Sequence, residues 1–333
     1  MFPKQSMNRA MFAALISLSA GWANTAETPS TKLSVRPPEF KLQTNDVVVF
    51  LGGANVVAAQ ETGHLETLLT VKFHGLGMRF HTLAWEGDTV YAQPRDLNFP
   101  QLKTQLQRVA ATVAFLHFGQ TESLQGRDAL TGFVTAYEKL LDELSVLVPR
   151  LVLVTPPPFE KNDPPLPDVS ARNQDLALYA EAIRELAHRR GCRLVNLYGE
   201  FSKTNKRGPK LTDNGIHFTA QGQAEVAGTT ARLLGFGDIV DRAGTANAKG
   251  EWPAASFESM RRVVIQKNRL WFDYWRPMNW AFLAGDRTEQ PSSRDHRDPK
   301  IRWFPAELEK FVPLIEAKEK EIEEAAKQVA ERK

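Results

Sequence analysis

The sequence contains one cysteine, Cys192, among its 333 residues, so no disulfide can form within the chain. Its apolar runs fall short of the roughly 20 residues that a membrane-spanning helix needs. It also lacks the cysteine and histidine spacing of zinc sites and the glycine-rich loop that cradles phosphates. We therefore expect no metal ion, no cofactor and no integral membrane span, and a fold stabilised by an ordinary hydrophobic core.

Neither sign of charge is in clear excess. Lys and Arg number 42 and Asp and Glu number 39, which gives a formal net charge of +3. A charge this small and this evenly spread argues against a nucleic-acid partner. Hydrophobic residues make up 42% of the chain and charged residues 24%, as in a typical globular protein.

The first 23 residues have the pattern of an export signal. Lys4 and Arg9 supply positive charge, residues 11–20 form a short apolar run, and small residues flank Trp22 at a cleavage point. The alternative, an uncleaved membrane anchor, would need a longer apolar run. We predict a cleaved signal peptide at 1–23, export to the periplasm or the extracellular space, and a polar, proline-containing linker at 24–45.

Strand and helix patterns alternate between residues 46 and 235. Apolar runs typical of buried strands begin near Val47, Arg79, Ala111, Arg150 and Arg193, and amphipathic helical patterns separate them. This alternation predicts an α/β fold, a three-layer flavodoxin-like parallel sheet with helices on both faces. Ligands of such sheets bind beyond the carboxyl ends of the strands.

Residues 236–333 are predicted to form a helical, aromatic-rich C-terminal extension. Five large apolar residues share one helical face, namely Phe257, Met260, Val264, Trp271 and Trp275. Such spacing is typical of core packing, and a surface on which a ligand stacks is the alternative for the tryptophans. The charged end of the chain carries Ile315, Ile322 and Val329 seven residues apart, which predicts an exposed terminal helix with one apolar seam.

Four segments with unusual chemistry lie at the carboxyl ends of the predicted strands. They are Gly52–Asn55, Trp85–Thr89, Gly119–Ser123 and Asp213–His217. Because the carboxyl ends of parallel strands meet at one edge of a sheet, the four segments should converge on a single cleft.

In order and spacing, the four segments resemble the motif blocks of the SGNH (GDSL-type) esterase/lipase superfamily over residues 46–235. The resemblance places Ala54 where the family has its nucleophilic serine. No Ser, Thr or Cys occurs between Asp46 and Glu61 to replace that serine. Gly87 matches the glycine whose N–H contributes to the oxyanion hole, while Thr121 stands in the position of the family's oxyanion-binding asparagine.

The last block resembles the segment that carries the catalytic histidine, and His217 matches that residue. The family has its acid three residues before the histidine, where this chain has Asn214, and Asp213 stands one residue earlier. Either residue is a candidate partner for the ring. The catalytic candidates are therefore His217 and Asp213, and the candidates for oxyanion or substrate binding are Gly53, Ala54, Asn55, Gly87, Thr121, Glu122 and Asn214. For Glu122 the alternative is a charge that stabilises a helix start.

The segment 267–277 also resembles a secreted, planctomycete-type branch of GDSL-like proteins with a degenerate nucleophile block. Two functions follow from the resemblance. The first is hydrolysis of an ester, in an acylated glycan or a small molecule, by a water that His217 activates while Gly87 N–H and the Thr121 hydroxyl hold the oxyanion. The second is non-catalytic binding of a glycan or acyl group, because loss of a triad nucleophile costs on the order of a million-fold in turnover.

Overall fold

The computed structural model describes residues 40–95, 98–203 and 209–331, so the predicted signal peptide and residues 24–39 of the predicted linker lie outside the described residues. The strands are β1 (Val47–Gly52), β2 (Arg79–Thr82), β3 (Val113–His117), β4 (Arg150–Val154) and β5 (Arg193–Val195). They form one parallel sheet in the order β2-β1-β3-β4-β5. This is the strand order of flavodoxin-like sheets, and the predicted fold class is confirmed.

Helices cover both faces of the sheet. In the described part of the chain they are α1 (Ala54–Thr62), α2 (His64–Lys72), α3 (Leu102–Arg108), α4 (Gln120–Ser123), α5 (Leu130–Ser145), α6 (Asn173–Arg190), α7 (Leu197–Lys203), α8 (Ala220–Leu233), α9 (Gly237–Ala243), α10 (Ala255–Trp275), α11 (Trp280–Leu283), α12 (Trp303–Glu309) and α13 (Phe311–Glu331). Short 3₁₀ turns lie at Arg127–Ala129, Val169–Arg172 and Pro291–Ser293.

Two hydrophobic clusters, one on each side of the sheet, form the core. Val48 of β1 packs into the cluster that contains α2, α8 and α10, whereas its neighbours Val49 and Leu51 pack into the cluster that contains α3, α5 and α6. Because both faces are covered, the strands read as continuous apolar runs rather than as alternating ones. The end of the predicted linker belongs to this core, since Phe40 and Leu42 are buried and the Phe40 ring contacts those of Phe73, Phe115 and Phe236.

The fifth strand is shorter than the apolar pattern predicts. The pattern extends from Arg193 to Tyr198, but β5 ends at Val195 and α7 begins at Leu197. The Asn196 side chain accepts a hydrogen bond from Gly199 N–H at 3.0 Å, as an asparagine does at a helix N-cap. This capping bond ends the strand and starts the helix.

The long helix α10 runs along the exposed edge of the sheet. β2 is the edge strand, and the carbonyl groups of Phe80 and Thr82 point outward because the alternate residues bond to β1. Lys267 Nζ donates to Phe80 O at 3.0 Å, and Trp271 Nε1 donates to Thr82 O at 3.2 Å. Four residues of helix rise about 6 Å and two residues of strand about 6.6 Å, so the two side chains match the spacing of the two carbonyls. The extension thereby covers an edge that would otherwise be open to pairing.

Lys267 is fully buried and lies between two carboxylates. Its Nζ is 2.7 Å from Glu66 Oε1 on α2 and 3.9 Å from Glu319 Oε1 on α13. Burial raises the pKa of Glu66 to about 7, although the Lys267 ammonium opposes that rise. Burial also raises the pKa of Glu319. The Lys267 ammonium group therefore interacts with the sheet edge, with α2 and with α13 at the same time.

The terminal helix α13 has the apolar seam that the sequence predicts. Ile315, Ile322 and Val329 are all buried, and the last two join the cluster that contains α2 and α10. The predicted apolar face of α10 is buried as well, with Trp271 at 7% and Trp275 at 6% exposure. The extension is thus packed on the sheet domain. In the described ranges, no helix combines the length and apolar character needed to cross a membrane.

His64 gives a pH dependence that can be tested. It is 1% exposed, its Nε2–H donates to Gly250 O at 2.7 Å, and burial lowers its pKa to about 4. An unfolded chain protonates this histidine near pH 6.5, whereas the folded chain does so only near pH 4. The free energy of unfolding should therefore fall as the pH drops between these values, by on the order of 3 kcal/mol from this residue.

In the His64→Gln variant the side chain retains an N–H for Gly250 but does not titrate. We expect the variant to lose less stability than the parent between pH 7 and pH 4.5 in urea unfolding experiments. Burial also lowers the pKa values of His81 and His117, but both proteins contain these residues, so the difference isolates His64. An identical pH dependence would contradict the assignment.

Candidate active site

The turn after β1 carries Ala54, which the sequence resemblance matches to the family's nucleophile position. Gly52 has φ +152°, and a Cβ there would lie 2.6 Å from the carbonyl oxygen of His117 on the neighbouring strand, so only glycine fits. Gly53 is the N-cap residue of α1, and Ala54 is the first residue of that helix. The methyl group of Ala54 thus lies at the carboxyl end of β1, where the fold places a reactive group.

Asn55 ties this turn to the segment that contains His217. Its Oδ1 accepts a hydrogen bond from Phe218 N–H at 3.1 Å, and its Nδ2 donates to Ile216 O at 2.9 Å. The residue next to Ala54 therefore binds both chain neighbours of His217. The two segments line one cleft, as the four-segment convergence predicts.

Further bonds from Asn55 complete the junction. Nδ2 also donates to Gln120 Oε1 at 2.9 Å, which brings in the segment after β3, and Gln223 Nε2 of α8 donates to Asn55 O at 3.1 Å. All the side-chain hydrogen-bonding groups of Asn55 are thus engaged within the protein. The role of Asn55 is therefore to hold the cleft segments together rather than to contact a substrate. No pattern in the sequence indicated that Gln120 and Gln223 would be its partners.

His217 lies in a tight hairpin. Thr212 and Phe218 pair as an antiparallel bridge, and Asp213 N–H donates to His217 O at 2.9 Å. The His217 side chain is exposed at the rim. The hairpin is therefore closed by backbone bonds, and the ring points to solvent at the cleft.

The ring partner of His217 is Asn214, one of the two candidates that the sequence left open. Asn214 Nδ2 lies 2.9 Å from His217 Nδ1. The other amide atom, Asn214 Oδ1, accepts the backbone N–H groups of Ile216 at 3.1 Å and His217 at 2.9 Å. Rotating the amide by half a turn would place its NH₂ against two donors, so its orientation is fixed.

This orientation decides the tautomer of the histidine. Since Asn214 Nδ2 is a donor, His217 Nδ1 must accept, and the ring proton resides on Nε2. In a Ser-His-Asp triad the acid accepts from Nδ1–H, which leaves Nε2 free to take the proton of the nucleophile. Here Nδ1 accepts and Nε2 is the donor, which is the reverse of the arrangement in the triad.

Asp213 does not take the place of the acid. Its side chain is exposed, and within the described ranges its carboxylate makes no hydrogen bond. Its backbone N–H is held by His217 O in the hairpin. The turn therefore directs Asn214, three residues before His217, at the ring, and not Asp213, four residues before it.

The hairpin that contains His217 is supported by two residues, Glu160 and Asn162, in the segment that follows β4. Glu160 accepts the backbone N–H groups of Leu211 at 3.0 Å and Thr212 at 2.8 Å, and Asn162 Nδ2 donates to Asn214 O at 2.6 Å. Gly215 has φ +82°, and a Cβ there would lie 2.6 Å from the carbonyl oxygen of Glu160. The close approach of these two segments therefore requires glycine. Sequence reasoning missed Glu160 and Asn162, because nothing in their spacing connects them to a hairpin some 50 residues later.

Gly87 lies in an exposed turn beside the nucleophile position. The carbonyl oxygens of Glu86 and Asp88 are each 3.5 Å from the Cβ position of Gly53. A carbonyl and the following N–H point in opposite directions across a planar peptide, so the peptide between Glu86 and Gly87 turns its carbonyl toward Gly53. The Asp88 carboxylate accepts Trp85 N–H at 3.1 Å and fixes this turn.

A buried ion pair and the C-terminal extension support the same turn. Arg95 binds Asp88 through two hydrogen bonds of 2.6 and 2.9 Å, and both side chains are at most 3% exposed. Burial raises the pKa of Asp88, and the Arg95 guanidinium opposes that rise. Arg276, just beyond α10, lies 3.9 Å above the Trp85 ring and pairs with Glu86 at 3.0 Å. The extension therefore contributes directly to one wall of the cleft.

Thr121 and Glu122 have different environments. Thr121, which the sequence resemblance matches to the family's oxyanion-binding asparagine, is exposed in the first turn of α4. Glu122 is 2% exposed, and its carboxylate accepts Val90 N–H and Gly119 N–H, each at 2.9 Å. Burial raises the pKa of Glu122 and these amide bonds oppose the rise. The buried Glu122 thus links the cleft segment that ends beside Val90 with the one that begins at Gly119. Its position at the start of α4 agrees with the alternative role, a charge that stabilises a helix start.

The cleft segments carry exposed hydrogen-bonding groups. His217, Thr121 and Gly87 are all exposed, and the Nε2–H of His217 and the Thr121 hydroxyl are able to donate hydrogen bonds. Across residues 40–95, 98–203 and 209–331, no three His, Cys, Asp or Glu side chains cluster in a way that could hold a metal ion. These two donors suit the carbonyl oxygen of an ester or amide.

The flavodoxin-like sheet and the four cleft segments define an SGNH-type hydrolase fold. The model of the GDSL-like Lipase/Acylhydrolase family matches residues 58–225. The chain belongs to this family. A curated relative, the GDSL esterase/lipase CPRD49 of Arabidopsis thaliana, is 26% identical over 141 residues, which cover 38% of this chain and 55% of the plant protein. The match thus spans about half the length of that relative.

One solved structure shows the same fold, and two others are similar to part of this chain. BT4096, described as a gut microbial diltiazem-metabolizing enzyme, superposes with a TM-score of 0.56 at 10% identity and covers 87% of this chain and 96% of its own. LAE5, an alpha/beta hydrolase enzyme from the metagenome of Lake Arreo, Spain, is 18% identical with a TM-score of 0.47 and covers 59% of this chain and 97% of its own. A catalytic mutant of Axe2, an acetylxylan esterase from Geobacillus stearothermophilus, is 17% identical with a TM-score of 0.44, over the same shares of the two chains.

Proposed function

We propose that this member of the GDSL-like family is a binding protein that holds an ester or acyl group in the hydrolase cleft without cleaving it. The observation that carries the proposal is the fixed amide of Asn214, which places the ring proton of His217 on Nε2. Ala54 removes the nucleophile, and the tautomer removes the general base that a water would need in its place. The nucleophilic attack and the proton transfer of serine chemistry therefore each lack the side-chain group that performs them.

The same tautomer suits ligand binding. An Nε2–H at an exposed rim donates to a carbonyl oxygen, and an ester carbonyl accepts without carrying a proton of its own. The Thr121 hydroxyl lies in another cleft segment and offers a second donor. The ligand class that fits is an acyl ester of a small alcohol or a glycan. Export, which rests on residues 1–23, is part of the proposal.

The alternative is hydrolysis by a water that His217 activates. It requires Nε2 to accept a proton while Asn214 donates to Nδ1, and those requirements conflict. Water-assisted turnover would therefore need the hairpin around Asn214 to rearrange.

An ester assay separates the two functions. With 4-nitrophenyl acetate and peracetylated xylose as probes, the parent protein should show the same hydrolysis rate as His217→Ala, at the background level of buffer. Calorimetry should show peracetylated xylose binding to the parent more tightly than to His217→Ala, about threefold to tenfold for one lost hydrogen bond. A hydrolysis rate that falls at least tenfold in His217→Ala would instead establish catalysis by the parent.

A further inference from the structure

A second cavity lies away from the cleft, between the C-terminal extension and the sheet. It has a volume of about 1070 Å³, which is in the range of ligand pockets. Its lining includes Val47 and Arg79, the first residues of β1 and β2, so it opens at the amino ends of these strands. The cleft with Ala54 lies at their carboxyl ends. The two sites therefore occupy opposite ends of the sheet.

Aromatic side chains of the extension form one wall of this cavity. The wall consists of Trp271, Tyr274, Trp275 and Trp280. The rings of Trp271 and Trp275 are stacked with centroids 6.4 Å apart, and His81 of β2 lies against Trp271 at 4.0 Å. These flat apolar faces suit a ligand that presents C–H groups or a ring face to them.

Three polar side-chain atoms on residues that line the cavity have no hydrogen-bond partner within the described residues. They are His81 Nδ1, Trp275 Nε1 and Glu319 Oε1, and the last has the Lys267 ammonium group 3.9 Å away. His81 is 8% exposed and Trp275 is 6% exposed. A buried polar group without a hydrogen bond costs about 1–3 kcal/mol, and a cavity occupant that bonds to these atoms would remove this cost.

The chemistry of these atoms limits the class of ligand. The indole N–H only donates, the carboxylate oxygen accepts, and the imidazole nitrogen does one or the other according to its tautomer. A hydroxyl group both donates and accepts, so a ligand with several hydroxyls can satisfy all three. The charged side chains that line the cavity are of both signs, Arg79, Arg108 and Lys320 against Glu309, Glu316, Glu319 and Glu323. This mixture does not favour a strongly ionic ligand.

A second internal space differs from this cavity in size and in lining. It has a volume of about 90 Å³ and lies behind the cleft, with Gln60 and His64 in its lining. Each of these residues also has a polar atom that makes no hydrogen bond to any residue the structure describes. At about 30 Å³ for a water molecule, this space holds at most a few waters. The larger cavity has room for a ligand of several rings and is lined by tryptophans, whereas the aromatic rings that line the smaller one are those of phenylalanines and His64.

We propose that the cavity under the C-terminal extension is a saccharide-binding site for a neutral oligosaccharide. The sugar rings stack on the tryptophan faces, and their hydroxyls bond to His81, Trp275 and Glu319. The extension would then give the hydrolase fold a second, independent point of attachment to a glycan. This site does not depend on the function proposed for the cleft.

Calorimetry with the full chain and three neutral probes, xylotriose, cellotriose and maltotriose, tests the proposal. At least one should bind with a Kd in the micromolar to millimolar range, and sorbitol, which has hydroxyls but no ring face, should not. Trp275→Phe keeps an aromatic ring and removes the N–H, and Glu319→Gln keeps the shape and removes the charge. Each should weaken binding about threefold to thirtyfold.

Trp303→Phe is the matched control, because Trp303 is 40% exposed and does not line the cavity. It should leave the Kd unchanged. Thermal unfolding of the variants establishes that they are folded. Failure of all three sugars to bind at 10 mM, about the weakest affinity of interest, would overturn the proposal and leave a cavity that holds water only. Binding that is lost in His217→Ala but kept in Trp275→Phe would place the sugar in the cleft and would also overturn it.

Discussion

The double variant Ala54→Ser with Asn214→Asp should react with a serine-directed phosphonate, whereas Ala54→Ser alone should react on the order of ten-thousand-fold more slowly. The serine supplies the missing hydroxyl at the start of α1. The aspartate keeps one oxygen on the N–H groups of Ile216 and His217, where Asn214 Oδ1 now lies. Its second oxygen then accepts from His217 Nδ1, and the ring proton moves to that nitrogen.

The expected ratio follows from the tautomer. In a serine protease triad, exchanging the aspartate for asparagine preserves the geometry and costs about 10⁴-fold in turnover, because Nε2 then carries the proton. Asn214 places this chain in the same state before any serine is added. The nucleophile and its base are therefore both needed, and neither single substitution should be sufficient.

The measurement is the rate of covalent labelling by mass spectrometry, together with hydrolysis of 4-nitrophenyl acetate. Asn214→Asp alone should show no labelling, and addition of His217→Ala to the double variant should abolish it. Adding Asp213→Asn to the double variant is the matched control, because the Asp213 side chain is exposed, and its labelling rate should not change. Equal labelling of Ala54→Ser and the double variant would contradict the tautomer argument.

The sequence was sufficient for the fold and for the order of the cleft segments. Continuous apolar runs bounded by glycine and polar residues predicted the strands, because a sheet covered on both faces needs such runs. The spacing of Phe257, Val264 and Trp271 predicted the buried face of α10, which the structure confirms. These features repeat at a fixed local period, so a single sequence reveals them.

Bonds between segments that are distant in sequence could not be predicted in this way. Whether Asp213 or Asn214 reaches the ring depends on the bridge between Thr212 and Phe218, which sets how tightly the hairpin turns. Asn55 was a candidate for substrate contact, but its amide is taken up by partners at least 65 residues away in sequence. Hydrogen-bond geometry of this kind depends on the fold as a whole, and no local pattern records it.

The buried lysine is an intermediate case. Lys267 lies three residues after Val264 and four before Trp271, on the helical face that is otherwise apolar. A charge at such a position is rarely buried unless it is paired. The sequence therefore marked an irregularity, but its meaning required the outward carbonyl of Phe80 on the sheet edge and the carboxylate of Glu66 on α2.

Replacing this lysine should destabilise the fold strongly. Lys267→Met keeps most of the aliphatic volume but leaves Phe80 O and the buried Glu66 carboxylate without their donor. Removing one partner of a buried ion pair costs about 3–5 kcal/mol, which is a large share of the stability of an ordinary domain. Urea unfolding at pH 8 should show this loss, since Glu66 of the parent, with a pKa of about 7, is then mostly ionised and paired with Lys267.

The loss should shrink at lower pH, and this dependence distinguishes the ion pair from simple packing. Because the Lys267 ammonium opposes the rise that burial causes, the pKa of Glu66 is higher in the variant than in the parent, and the variant binds a proton there that the parent has released. The difference in stability should therefore shrink as the pH falls toward 7, where the parent also protonates Glu66. Addition of Glu66→Gln to Lys267→Met should likewise recover part of the stability at pH 8. Arg269→Met on the same helix is the matched control, because Arg269 is 68% exposed in its pair with Asp273 and should cost at most about 1 kcal/mol. If Lys267→Met cost no more than this control, the lysine would not be what fastens the C-terminal extension to the sheet edge.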